Sequence, residues 1–169
     1  WSVMSLIMTA TPVSMHEIDR FDMNDTAWVI QSHIIAMYLP SVMSGFLVAR
    51  FGSLNIIRAG LVLLFACLAV AWVDRHLMHY WWALVLLGVG WNFLFLGGTT
   101  LLTSSYRQSE RFKVQAVNDF VVFSMQGLAA LSSGMILLDF GWHYLLLVSL
   151  PLLLALMPAV IRGRLLADG

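Results

Sequence analysis

The sequence predicts an all-α membrane protein of six transmembrane helices, and three observations predict it. Hydrophobic residues make up 60% of the 169 positions and charged residues 11%, with a mean hydropathy of +0.86. An ordinary soluble domain is roughly 45–50% apolar even with glycine counted. The apolar residues gather into segments close to the roughly 20 residues that a helix needs to cross the hydrocarbon core. The connections alternate in charge: seven of the nine Lys and Arg residues fall at Arg50 and Arg58, at Arg107, Arg111 and Lys113, and at Arg162 and Arg164. Cytoplasmic loops collect such residues, which places these three stretches inside. Glu17, Asp19, Asp22 and Asp25 against Arg20, then Asp74 with Arg75, then Asp139, mark the opposite connections as external.

The spans are predicted near 1–16, 27–49, 55–73, 80–104, 114–138 and 142–161. The first opens at Trp1 inside an apolar segment with no initiator Met, which suggests a piece of a longer chain. It ends before the acidic connection, and the second begins beyond it at Ala27 and runs to the first basic pair. The third holds Arg58 near its start and is an unbroken apolar run from Ala59 to Val73, and the fourth starts at the aromatic cluster Tyr80, Trp81 and Trp82. The fifth begins after Lys113, and the sixth begins at Trp142 and stays apolar to Ile161. Trp28, Trp72, Tyr80, Trp81, Trp82, Trp142 and Tyr144 all fall at the external boundary, where amphipathic rings prefer the headgroup level. An even number of spans puts both ends of the segment in the cytoplasm. Short connections without low-complexity stretches describe one compact unit.

The polarity of the spans repeats. The first carries Ser2, Ser5, Thr9, Thr11 and Ser14, the second carries Gln31, Ser32, His33, Ser41 and Ser44, and the third is bare. The fourth carries Asn92, Thr99, Thr100 and Thr103, the fifth carries Gln115, Asn118, Asp119, Ser124, Gln126, Ser132 and Ser133, and the sixth is again almost wholly apolar. Polar groups facing lipid are costly unless paired, so spans one, two, four and five are expected to line a polar path while three and six face lipid. Three spans per repeat turn the second copy upside down, the inverted 3+3 construction of many secondary transporters.

At the junction of spans two and three stands Gly45-Phe-Leu47-Val-Ala49-Arg50-Phe-Gly52, followed by Arg58. It resembles the Gly-x-Leu-x-Asp-Arg-x-Gly signature of the major facilitator superfamily, with Ala49 in place of the usual Asp. The polar segment ending Thr9-Ala-Thr11-Pro12, the Trp28-Val-Ile-Gln31-Ser-His33 stretch and Val114-Gln-Ala-Val-Asn118-Asp119-Phe120 extend the likeness along the whole chain. The resemblance implies one half of a twelve-helix bacterial permease. The degenerate signature points to the C-terminal half, helices seven to twelve, with an N-terminal half as partner. It also implies that Gly45, Arg50 and Gly52 belong to a cytoplasmic gate, and that the first, second, fourth and fifth helices surround the substrate path. The expected location is the bacterial inner membrane.

Several side chains stand out as candidates. Asp119 is the one acid placed within a span, about 10 Å inside at 1.5 Å rise per residue. It is either a proton-coupling carboxylate or a structural acid that pairs with Arg50 or caps a neighbouring helix, with Asn118 beside it. His33 titrates in the neutral range when unperturbed; it is either a substrate contact together with Gln31 or a hydrogen-bonded packing element. Thr9, Trp91, Asn92, Thr99 and Gln126 complete the predicted cavity lining, Trp91 as a stacking surface for a ring-containing solute. Gly97, Gly98, Gly127, Ala130, Gly134, Pro12 and Pro40 read as sites of close helix approach or bending.

These patterns also narrow the function classes. Zero formal net charge and basic residues confined to membrane-flanking positions argue against a nucleic-acid partner. Cys67 is the single cysteine, so neither a disulfide framework nor a cysteine metal site is expected. Phosphate loops, zinc spacings and nucleophile elbows are absent, and no cofactor is expected. The reading is a non-enzymatic secondary transporter that moves a small solute by alternating access, ion- or proton-coupled, with the lipid bilayer, its other half and a small-molecule substrate as partners. A membrane-embedded enzyme, a haem-binding electron carrier and a non-transporting scaffold are the alternatives. Haem ligation is disfavoured because His33 is the lone histidine inside a span.

Overall fold

The computed structural model describes residues 1–161, in which helices are joined by short connections. The basic pair Arg162 and Arg164 lies outside the described residues. Helix α1 covers Ser2–Val13 and is extended by a π turn, Ser14–Ile18. Helix α2 covers Met23–Tyr38, passes through a 3-10 turn at Leu39–Met43 and resumes as α3, Ser44–Phe51. Then follow α4, Ser53–Val73; α5, Leu77–Ser104; α6, Arg111–Phe140; and α7, Trp142–Leu154.

Among the described residues, five helical runs are long and apolar enough to cross a membrane: Met23–Phe51, Ser53–Val73, Leu77–Ser104, Gln108–Phe140 and Trp142–Ile161. The chain is a multi-pass membrane protein. The first predicted span, α1 with its π turn, is shorter than these. Its end is set by Arg20, which takes the left-handed conformation at φ +60° while Phe21 N–H closes back onto the Met15 carbonyl at 2.9 Å.

The second span begins four residues earlier than position 27, because Asp22 caps it: its carboxylate accepts from Met23 N–H at 2.8 Å. Pro40 sits in the turn that divides α2 from α3 and supplies no N–H, so the helical ladder of α2 lapses there. Gly52 and Gly141, at φ +74° and +84°, make the corners between α3 and α4 and between α6 and α7. Both conformations are open to glycine at no steric cost.

Helix α5 is the hub. It packs along α4 on one side and along α2 on the other, while α1 packs on α6 and α7, and α4 on α7. The α4–α5 seam is antiparallel and is set by missing side chains. A Cβ on Gly60 would lie 2.9 Å from the Gly90 carbonyl oxygen, and one on Gly97 would lie 2.8 Å from the Ser53 carbonyl oxygen. The α2–α5 seam is parallel: Ser32 meets Trp81, His33 meets Leu84, and Met37 meets Asn92. Gly88 makes that approach possible, since a Cβ there would stand 2.8 Å from the His33 carbonyl oxygen. Gly97 thus fulfils its expected role of close approach. Gly98, Gly127 and Gly134 do not, because a Cβ on any of them would meet no atom within 4 Å.

The two ends of the bundle differ. At one end the acidic and aromatic connections converge: Tyr80 donates to Asp19 at 2.7 Å, Arg75 pairs with Asp19 at 3.2 Å, and the Trp142 indole donates to the Ala71 carbonyl at 2.9 Å. The buried apolar core, with Ile7, Met15, Leu84, Leu87 and Leu145, lies toward this end. At the other end, where Arg50, Arg58, Arg107, Arg111 and Lys113 sit, the helices are widely exposed over Tyr38–Phe51 and Phe112–Phe123.

Candidate functional site

Two of the predicted cavity residues are built into helix seams. His33 is fully buried, and its Nδ1 lies 2.8 Å from the Leu84 carbonyl. A carbonyl can only accept, so Nδ1 carries the proton and Nε2 holds a lone pair in the neutral ring. That Nε2 is buried with no partner among the described residues. Asn92 is 2% exposed, and its amide nitrogen donates to the Met37 carbonyl at 2.7 Å and to Ser41 Oγ at 2.6 Å. Met37 lies in the last turn of α2, where the ladder lapses, so Asn92 supplies a donor that the backbone no longer provides. Both residues brace α2 against α5 rather than face an open surface. The structure does not bring His33 and Gln31 together, because residues two apart on a helix point to different faces. Gln31 is exposed on the side of α2 away from the buried stripe Thr26, Val29, His33 and Met37.

Thr9 is exposed on α1, opposite the buried stripe Val3, Ile7, Ala10 and Ser14. Gln126, half-buried on α6, has its Oε1 buried and unpartnered among the described residues. It stands one turn below the Ala129, Ser133 and Leu137 stripe that is buried on α6.

Trp91 and Thr99 belong together on α5. Trp91 is stacked on Phe95 with ring centroids 5.2 Å apart and planes within 4°. Trp1 closes edge-on against both, at 4.7 Å from Trp91 and 5.9 Å from Phe95. Thr99 follows one turn after Phe95 and is exposed, beside exposed Gly98. Sequence reasoning names Trp91 and misses Trp1. Phe95 falls by spacing on the face of the fourth span that carries Gly88, Asn92, Thr99 and Thr103, so its place on that face is legible in the sequence.

The candidate gate residues are dispersed. Arg50 lies over the rings of Phe46 and Phe51, 6.0 and 5.8 Å from their centroids, and makes no ion pair with Asp119. The guanidinium is held by its own helix through cation–π contact instead. Asp119 is exposed and accepts from Asn118 Nδ2 at 3.2 Å. Gly45 and Gly52 have open space where a Cβ would stand. At this junction the structure places a helix corner, with Arg58 donating to Asn55 Oδ1 at 2.7 Å.

Comparison with known proteins identifies the family. The chain is 35% identical over 167 residues to a riboflavin transporter of Brucella anthropi, covering 96% of the chain and 41% of that protein. It is 41% identical over 162 residues to one uncharacterised MFS-type transporter of Bacillus subtilis, covering 94% of the chain and 37% of the relative. A second such transporter of Bacillus subtilis is 38% identical over 166 residues, covering 96% of the chain and 38% of the relative. The chain belongs to the major facilitator superfamily. It spans well under half the length of each of these relatives. No family model matches the chain, and no solved structure matches it.

Proposed function

We propose that the chain is the C-terminal six-helix half of a secondary active transporter, which moves a small solute across the bacterial inner membrane by alternating access. The likeness to three transporters over at least 94% of the chain is the observation that carries this reading. Two further features support it. Numbering the spans one to six, with α2 and α3 as the second, exchange of the first three with the last three turns the one–five contact into the four–two contact. These are α1 with α6 and α5 with α2, both present. The same exchange turns the α4–α5 contact into the α7–α1 contact. An inverted repeat produces this pairing. The separation of an acidic, aromatic end from a basic end supports a topology with the basic end in the cytoplasm.

The solute path in this reading runs along the exposed faces near Thr9, Gln31 and Thr99, past buried Trp91 and half-buried Gln126, and is completed by the other half. Riboflavin, which appears in the name of the Brucella relative, is the first solute to test. Saturable, gradient-dependent uptake by the full-length protein in liposomes is the expected result; a leak that does not saturate would sink the transporter reading. Asp119 has two roles open to it. Uptake lost with exchange preserved in Asp119→Asn assigns it to proton coupling, while a constitutively leaky protein assigns it to a gate formed with the other half.

A further inference from the structure

We propose that the solute carries a flat, uncharged conjugated ring that stacks on the free face of Phe95, as a third tier above Trp91 and Phe95. This deepens the transporter reading and rests on it.

The argument begins with one face of α5. Leu84, Gly88 and Trp91 lie on it and are buried among neighbouring helices. Phe95, Gly98 and Thr99 continue the same face toward the basic end, where those neighbours separate. Phe95 is 45% exposed there. Trp82, Leu86, Val89 and Phe93 lie on the opposite side of α5, so Phe95 shares its face with Leu84 and Gly88, which meet α2.

Side chains on a helix lean toward its N-terminus. The Phe95 ring therefore covers the turn of Trp91, and its other side looks over Gly98 and Thr99. Gly98 has no side chain, and a Cβ there would meet nothing within 4 Å. The stack thus ends in a vacant level at Gly98. Trp1, set at 79° to Trp91 and 83° to Phe95, holds both rings before any ligand arrives. A platform that does not need ordering loses less free energy on binding.

The polar chemistry at this level is sparse. The Thr99 hydroxyl is a donor and acceptor with no partner among the described residues, whereas Thr103 bonds back to the Thr100 carbonyl at 2.9 Å. From Leu77 to Ser104, α5 holds no Asp, Glu, Lys or Arg. A charged ring would be desolvated here without compensation, so the wall favours a neutral heteroaromatic that offers one polar edge to Thr99.

The test uses the full-length protein and three probes: riboflavin, lumichrome as the flat ring without its chain, and ribitol as the chain without its ring. Both flat probes are expected to bind the wild type with quenched flavin fluorescence, and ribitol is expected not to compete. Phe95→Ala should weaken binding of both about tenfold, which is the order of one aromatic stacking contact, while Phe95→Tyr restores it. Gly98→Leu fills the vacant level and should abolish binding with an unchanged unfolding temperature, because its side chain enters open space. Failure of both flat probes to bind, competition by ribitol equal to that of lumichrome, or unaltered binding in Gly98→Leu would each overturn the proposal. Saturable uptake of a ringless solute alongside any of these results would leave the transporter reading standing. Ring binding without saturable uptake of any probe would sink the transporter reading and, with it, the role of the platform in transport.

Discussion

Gly60 of α4 and Gly90 of α5 lie directly opposite each other, each with its Cα turned to the other's carbonyl: added Cβ atoms would approach to 2.9 and 3.0 Å. Helices in lipid gain nothing from burying apolar surface against one another, so close backbone approach is a main source of their cohesion. The obstacle to any side chain here is backbone, which cannot rotate away. Gly90→Ala is expected to cost about 1–3 kcal/mol, the usual range for overpacking, and Gly98→Ala is expected to cost nothing. Thermal unfolding of the full-length protein in detergent measures both.

Tyr80 ties three elements at the acidic end. Its hydroxyl donates to Asp19 at 2.7 Å and lies 2.6 Å from Ser14 Oγ, which donates to it in turn. The residue itself is 2% exposed. Arg75 reaches the same carboxylate at 3.2 Å, but its side chain is 41% exposed. Hydrogen bonds to a charged group contribute about 1.5–3 kcal/mol, whereas exposed ion pairs contribute about 0–1 kcal/mol. Tyr80→Phe is therefore expected to lower the unfolding temperature more than Arg75→Ala does. Equal effects would show that the ion pair, not the phenol, carries the connection.

The six-segment reading places the later helices closely because hydrophobic length and flanking charge decide where a helix meets the membrane boundary. The α5 start at Leu77 and the α6 end at Phe140 differ from the expected 80 and 138 by two or three residues. The expected start of α2 falls four residues late because Asp22 and Asp25 resemble loop charges, whereas an Asp before a helix is also its cap. Neighbours were harder to read. Spacing shows that Gly97 and Gly98 point to different faces, but which of them meets another helix depends on where α4 lies. The same holds for Asn92, whose partner is a carbonyl freed by Pro40, 52 positions away in the chain. His33 and Gln31 were a different matter: a two-residue spacing on a helix already separates them.

Arg20 occupies a conformation in which a side chain costs roughly 1–2 kcal/mol, at φ +60° where the chain leaves the π turn. It closes that turn by letting Phe21 reach the Met15 carbonyl. Glycine adopts this conformation without a steric penalty. Arg20→Gly is expected to hold or raise the unfolding temperature, although it removes a charge. A marked loss of stability would mean that the guanidinium makes a contact worth more than the strain it imposes.

Asn92 braces the α2–α5 seam. The carbonyl of Met37 loses its helical partner where α2 gives way to the 3-10 turn, and Asn92 replaces it with a side-chain donor that also holds Ser41 Oγ. Leucine has nearly the same volume but no donor, so Asn92→Leu leaves the packing in place and strands the carbonyl. The expected loss is about 0.6–1.7 kcal/mol, the range measured for side-chain hydrogen bonds between membrane helices. Because the turn beside it joins α2 to α3, the change should also raise hydrogen exchange over Leu39–Met43 while leaving α4 protected. Uniform exchange along both segments would show that the turn is held by Pro40 alone.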